Sequence, residues 1–223
     1  MTLPEPPLLV ITDRRWARAS LEEVAAALFA GGCRWLSLRE KDLPAPERLA
    51  LLRRLVALGR HFDAAVGVHD DVAAACEAGA AGVHLPAGAS PRAARARLGT
   101  GALIGVSAHR ETEIATAADE GADYVTLSPI FLSASKPGYG PALGLDALRH
   151  AHPLPVLGLG GIDLDTVAAA IAAGAAGVAV MGAAMRAADP ERYMADLLAA
   201  AGRALAARRS RAHSPGEAAG RRI

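Results

Sequence analysis

Arg39 and Lys41 flank Glu40 in the segment LSLREKD, the first spacing in the chain that could do chemistry. Residues two apart on an extended strand point the same way. The two cations therefore share a face and need an anion to offset them, either a ligand or a carboxylate such as Asp13 or Asp70. A second basic feature lies in SPIFLSASKPGYGPALG, residues 128–144. There the hydroxyls of Ser133 and Ser135, the ammonium of Lys136 and glycine amides suit phosphate oxygens. A third lies in GLGGID, where Gly160 and Gly161 allow close backbone approach before a helix start, an arrangement that binds anions. Met181-Gly182 offers the same arrangement again. Asp70 is a hard carboxylate that suits Mg²⁺, while its neighbour Asp71 is placed to cap the next helix. His69 and His84 could line the same pocket or serve as structural histidines. No spacing makes a zinc site, and no nucleophile–histidine–acid signature is present.

These residues stand out against an unusual background. Of 24 Lys and Arg residues, only Lys41 and Lys136 are lysines, so the chain uses arginine almost wherever a cation will do. Hydrophobic residues make up 52% and aromatics only 4% of the 223 residues, which leaves small and aliphatic side chains to form the core. A net charge of +1 and 21% charged residues argue against a disordered chain and against a nucleic-acid binder. Two cysteines, Cys33 and Cys76, make no disulfide framework. The start MTLPEPPLLVITD lacks the pattern of a signal peptide, and no apolar run reaches membrane-spanning length. The expectation is a soluble cytoplasmic protein without membrane or nucleic-acid partners. Residues 208–223 carry five arginines and one glutamate and no apolar periodicity, which predicts a disordered basic tail after a domain spanning 1–207.

The elements that would position these residues repeat along the chain. GGCRWLSL, AGAAGVHL, EGADYVTL and AGAAGVAV each follow an alanine-rich helical stretch with glycine and then an apolar run. The glycine fits the end of a helix and the run fits a buried strand. The glycines at their second positions, Gly32, Gly79, Gly121 and Gly174, are 47, 42 and 53 residues apart, room for one further strand and helix in each interval. AVGVH, LIGVS and PVLGLG supply those strands, and LLVIT adds one before the first. Helical stretches such as 21–30, 46–60, 110–120 and 163–173 lie between. Eight alternating units predict a small (β/α)8 TIM barrel, with a doubly wound open sheet as the alternative. In such a barrel the strand ends converge on one mouth. Arg39, Lys41, His69, Asp70, Ser107, the 128–140 loop, Gly160, Gly161, Met181 and Gly182 all fall there.

The chain resembles the thiamine-phosphate synthase and thiazole tautomerase family over roughly residues 8–200. LSLREK, VHDD, AGVHL, IGVSAH, GADYVTLSPIFLSASK, GLGGI and AGVAVMG carry the resemblance in order and spacing. It implies a transferase of thiamine biosynthesis that couples hydroxymethylpyrimidine diphosphate to thiazole phosphate and releases pyrophosphate by a dissociative step. By position, Arg39, Lys41, Ser133, Ser135 and Lys136 resemble the family's pyrophosphate and pyrimidine contacts, and Ser107 a serine of its GVS segment. His69 stands beside them as a substrate contact, and Asp70 matches a magnesium ligand. Gly160, Gly161, Met181 and Gly182 match the thiazole phosphate site.

The chain also departs from that pattern. Ser37 stands where the synthase usually has Gln, and His69 where it has Asn. Ala89 stands where it has a second magnesium carboxylate, which should weaken Mg²⁺ binding. The tautomerase's catalytic histidine aligns with Pro129. A tautomerase-like isomerase using His69 or His84, and a non-catalytic phospholigand-binding paralogue, therefore stand beside the synthase reading. A barrel of this size could also pair as a homodimer.

Overall fold

A computed structural model describes residues 2–132 and 141–213. Eight short parallel strands close into a barrel in sequence order. They are β1 Leu8–Ile11, β2 Trp35–Leu38, β3 Ala65–His69, β4 Gly82–Leu85, β5 Leu103–Ala108, β6 Tyr124–Leu127, β7 Val156–Leu159 and β8 Gly177–Val180. β8 pairs back onto β1 through Leu8 with Val178 and Val10 with Val180, which excludes the open sheet. The helices are α1 Leu21–Ala30, α2 Ala45–Arg60, α3 Val72–Ala78, α4 Pro91–Leu98, α5 Glu111–Asp119, α6 Val167–Ala173, α7 Gly182–Arg186 and α8 Pro190–His213.

Alternation along each strand sorts its residues between two cores. Outward side chains such as Leu8, Val10, Leu36, Leu38, Val66 and Val68 pack with the helices. Inward ones, Leu9, Ile11, Trp35, Leu103, Tyr124, Leu157 and Ala179, fill the barrel floor. The few aromatics matter here: Trp35 and Tyr124 meet edge to face at 4.7 Å across the interior. Gly105 makes room for them, since a Cβ there would collide with the Tyr124 ring. The helices carry their own signals. Ser20 and Glu23 close a reciprocal capping box on α1, and α2 buries Leu51, Leu52, Leu55 and Val56. Gly32, Gly79, Gly121 and Gly174 all have positive φ at the ends of their helices, as their repeated position requires.

Two expected boundaries shift, each for a local reason. The helix expected over 163–173 begins at Val167. Asp163 Oδ1 accepts from the amides of Asp165 and Thr166 and from Thr166 Oγ1, so a side-chain turn replaces the first helical turn. The terminal helix runs to His213, past residue 207. Arg208 donates to the carbonyls of Ile171 at 3.0 Å and Ala175 at 2.6 Å, so residues after 207 still dock on α6. Residues 214–223 lie outside the described part. Between β6 and β7 the described residues hold a 3-10 turn, Leu145–Leu148, where a regular unit would have an α-helix. No helix among the described residues is long and apolar enough to cross a membrane.

Candidate active site

A cavity of about 740 Å³ opens at the carboxyl ends of the strands. Arg39, Lys41, His69, Asp70, Ser107, Gly160, Gly161, Met181 and Gly182 all line it. The sequence therefore brings nine expected site residues, from the ends of five strands, to one mouth. Ser133, Ser135 and Lys136 lie outside the described residues.

The β2 end shows how the cations are set. Glu40 is 1% exposed and turns away from the cavity. It accepts from Thr12 Oγ1 at 2.7 Å, from the Arg14 amide at 3.1 Å and from the Arg14 guanidinium at 3.2 Å. Thr12 Oγ1 in turn accepts the Arg39 amide at 2.9 Å. With Glu40 pinned inward between β1 and β2, alternation directs Arg39 and Lys41 to the cavity. Neither makes an ion pair among the described residues. The carboxylate expected as an alternative partner, Asp13, is taken by Arg15 through Nε at 2.8 Å and Nη2 at 2.7 Å. That pairing holds the Asp13 carboxyl below its ordinary range. Asp70 is exposed at the mouth and makes no such pair among the described residues.

Asp70 leaves β3 with φ +61°, its amide donating to the His84 carbonyl at 2.9 Å. Asp71 caps α3 through the Ala74 amide at 2.8 Å and pairs with Arg48 at 2.7 Å, as its place before a helix implies. Among the described residues no three His, Cys, Asp or Glu side chains gather to hold a metal. Ala89 packs against the outer core and does not line the cavity. The donor set therefore fits a Mg²⁺ that arrives with phosphate oxygens and water, and does not form a protein cage.

On the β7 and β8 side, Gly160 and Gly161 have φ +96° and +62°. A Cβ on Gly161 would lie 2.6 Å from Phe131 Cβ and 2.7 Å from the Leu132 carbonyl oxygen. Gly182 starts α7, whose first turn has no side-chain cap. The backbone here can therefore approach a ligand closely with its amides.

Polar side chains from β2 to β6 occupy the layer between cavity and floor. Ser37 and His69, the two positions that depart from the resembled family, bond to each other, Oγ to Nδ1 at 2.7 Å. The His69 ring stacks on His84 at 4.6 Å. His84 contacts Tyr124 Oη through Nδ1 at 3.2 Å, and Ser107 and Thr126 through Nε2 at 3.0 and 3.2 Å. Burial, helped by the nearby Arg39 charge, pushes His84 down to about 3, so the ring is neutral. A serine beside a histidine can form a nucleophile–base pair, but a histidine this weakly basic is a poor proton acceptor. The Ser107–His84 pair is accordingly a hydrogen-bonded wall.

One cation of the lining was not expected from the sequence. Arg186 reaches the cavity from the end of α7, with its guanidinium 4.8 Å from the centre of the Trp16 ring. Its place four residues after Gly182, one turn along the same helix face, was the available signal.

Residues 8–184 match the family described as thiamine monophosphate synthase. The chain is 44% identical over 199 residues to a Geobacter sulfurreducens protein named provisionally as a thiamine-phosphate synthase, covering 86% of this chain and 92% of that one. It is 40% identical over 187 residues to the thiamine-phosphate synthase of Roseiflexus sp., covering 82% and 79%. The solved thiamine phosphate pyrophosphorylase of Pyrococcus furiosus superposes with a TM-score of 0.78 at 29% identity, over 89% of this chain and 96% of that one.

Proposed function

Because the chain belongs to the thiamine monophosphate synthase family, we propose that its mouth joins hydroxymethylpyrimidine diphosphate to thiazole phosphate and releases pyrophosphate. The observation that carries this is one cavity lined at one end by the cations Arg39 and Lys41 after β2 and at the other by the glycine-bearing turns after β7 and β8, two ends suited to two anions.

The chemistry follows from what the lining lacks as well as what it holds. The bond between the methylene carbon and the bridging diphosphate oxygen breaks, and its electron pair leaves with pyrophosphate. The thiazole nitrogen then gives its lone pair to the methylene carbon to form the new C–N bond. Neither step needs a protein nucleophile. Arg39 and Lys41 stabilise the charge that grows on the leaving group, and Lys136 is proposed to join them. Gly160, Gly161, Met181 and Gly182 hold the thiazole phosphate, so its nitrogen is already positioned when the cation forms. Asp70 would hold Mg²⁺ together with diphosphate oxygens and water, and the ion would supply further neutralisation of the leaving group. With one carboxylate, Mg²⁺ is expected to bind with the diphosphate and weakly without it. Both substrates are charged phosphates that do not cross a bilayer unaided, which supports a cytoplasmic setting. The isomerase alternative is left without its histidine at Pro129, and the low basicity of His84 removes one substitute base.

Gly161→Ala separates the two ends of the cavity. The added Cβ meets Phe131 and the Leu132 carbonyl from a backbone with φ +62°, so the phosphate-facing turn must move. The KM for thiazole phosphate is expected to rise about tenfold or more, while the KM for the diphosphate changes little. Steady-state kinetics with each substrate varied in turn checks this, and equal effects on both would contradict it. The function itself is tested by incubating the purified chain with both substrates and Mg²⁺ and measuring thiamine phosphate.

A further inference from the structure

Three hydroxyls converge on one buried imidazole, and the imidazole has too few proton positions to treat them alike. The arrangement is built by strand register. Gly105 on β5 is paired with His84 on β4 and with Tyr124 on β6. Without a side chain at Gly105, His84 reaches across β5 to Tyr124. Ser107 and Thr126, paired with each other one step nearer the mouth, meet the other ring nitrogen. These are the only hydrogen-bond partners of the four side chains among the described residues.

A neutral imidazole offers one donor and one acceptor. Either tautomer leaves one buried hydroxyl proton without an acceptor among the described residues, that of Tyr124 (2% exposed) if Nδ1 carries the ring proton or that of Thr126 (0% exposed) if Nε2 does, and the phenol proton is the costlier one to strand. The phenol is also the most acidic of the three hydroxyls and the best donor. Tyr124 therefore donates to Nδ1, and the ring proton sits on Nε2. That proton goes to Ser107 Oγ at 3.0 Å, with Thr126 Oγ1 sharing it at 3.2 Å. Ser107 then accepts from the wall, and its own proton points toward the cavity that it lines.

We propose that Tyr124 and His84 are positioning residues that fix Ser107 as a hydrogen-bond donor aimed into the mouth. Its partner on the ligand is a lone-pair acceptor, a ring nitrogen or an anionic oxygen. A donor group on the ligand would be refused at this point, so the wall contributes to specificity. The functional consequence rests on the proposed reaction, but the proton arrangement does not.

The test begins with the full chain labelled with ¹⁵N-histidine and no substrate. Two-bond ¹H–¹⁵N spectra are expected to show His84 protonated on Nε2. Tyr124→Phe removes the donor to Nδ1. It is expected to shift the ring toward the Nδ1-protonated form and to lower kcat/KM about tenfold. In a Ser107→Ala background, Tyr124→Phe should cost kcat/KM nothing more, because the effect runs through the serine. An Nδ1-protonated parent, or losses from the two substitutions that simply multiply, would overturn the proposal. If the parent chain shows no turnover, that result counts against the reaction alone, since the tautomer is read without substrate.

Discussion

Arg39→Gln is expected to lower kcat by about two to three orders of magnitude while the fold survives, the scale of losing one preorganised charge from a transition state. The backbone of Arg39 is held by Thr12, so the side chain contributes little to the barrel. Its guanidinium lines the cavity without an ion-pair partner among the described residues. A cation in that position is desolvated on one side and unneutralised, and an incoming diphosphate meets both conditions. If charge builds up on the leaving group, the loss appears in kcat more than in KM. Arg39→Lys should recover part of it, because an ammonium keeps the charge and loses the planar fork. Steady-state kinetics with circular dichroism as the folding control decides the matter. A kcat within a few-fold of the parent would remove Arg39 from the mechanism.

Glu40→Ala is expected to be the most destabilising change at the mouth, by about 2–4 kcal/mol. It strips the buried Thr12 hydroxyl and the Arg14 amide of their acceptor, and Arg14 keeps only the exposed pairing with Asp42 at 2.8 Å. Part of the freed space faces β1, so water cannot fully repair the lost bonds. The same change loosens the Arg39 backbone through Thr12, so activity should fall beyond what unfolding explains. Urea denaturation should show a lower midpoint with an unchanged slope. A loss under about 0.5 kcal/mol would mean that Glu40 is not the anchor of this corner.

Glu40 also shows where the sequence could be read and where it could not. The alternation of LSLREK put Arg39 and Lys41 on the cavity side, and the structure has them there. The residue between them drew no attention, because its partners Thr12 and Arg14 lie 28 and 26 positions away across a strand pair. Strands and barrel closure were legible because the short apolar runs are buried on both faces and every second one repeats its preceding glycine. Asp163 illustrates the opposite case. Periodicity extended a helix through it, whereas its carboxylate and Thr166 build a turn that periodicity does not register. His84 was visible as a strand-end histidine, but its neutral state depends on burial, and its reach to Tyr124 on a gap at Gly105 in the neighbouring strand. The scarcity of lysine was informative for Lys41, which lines the cavity; Lys136 lies outside the described residues.

The most direct measurement is ³¹P NMR of the purified chain with hydroxymethylpyrimidine diphosphate and Mg²⁺, with and without thiazole phosphate. Sustained pyrophosphate release is expected only when both substrates are present, one pyrophosphate for each thiamine phosphate formed. Conversion of a thiazole isomer without metal, or tight binding of both phosphates with no pyrophosphate released, would contradict it.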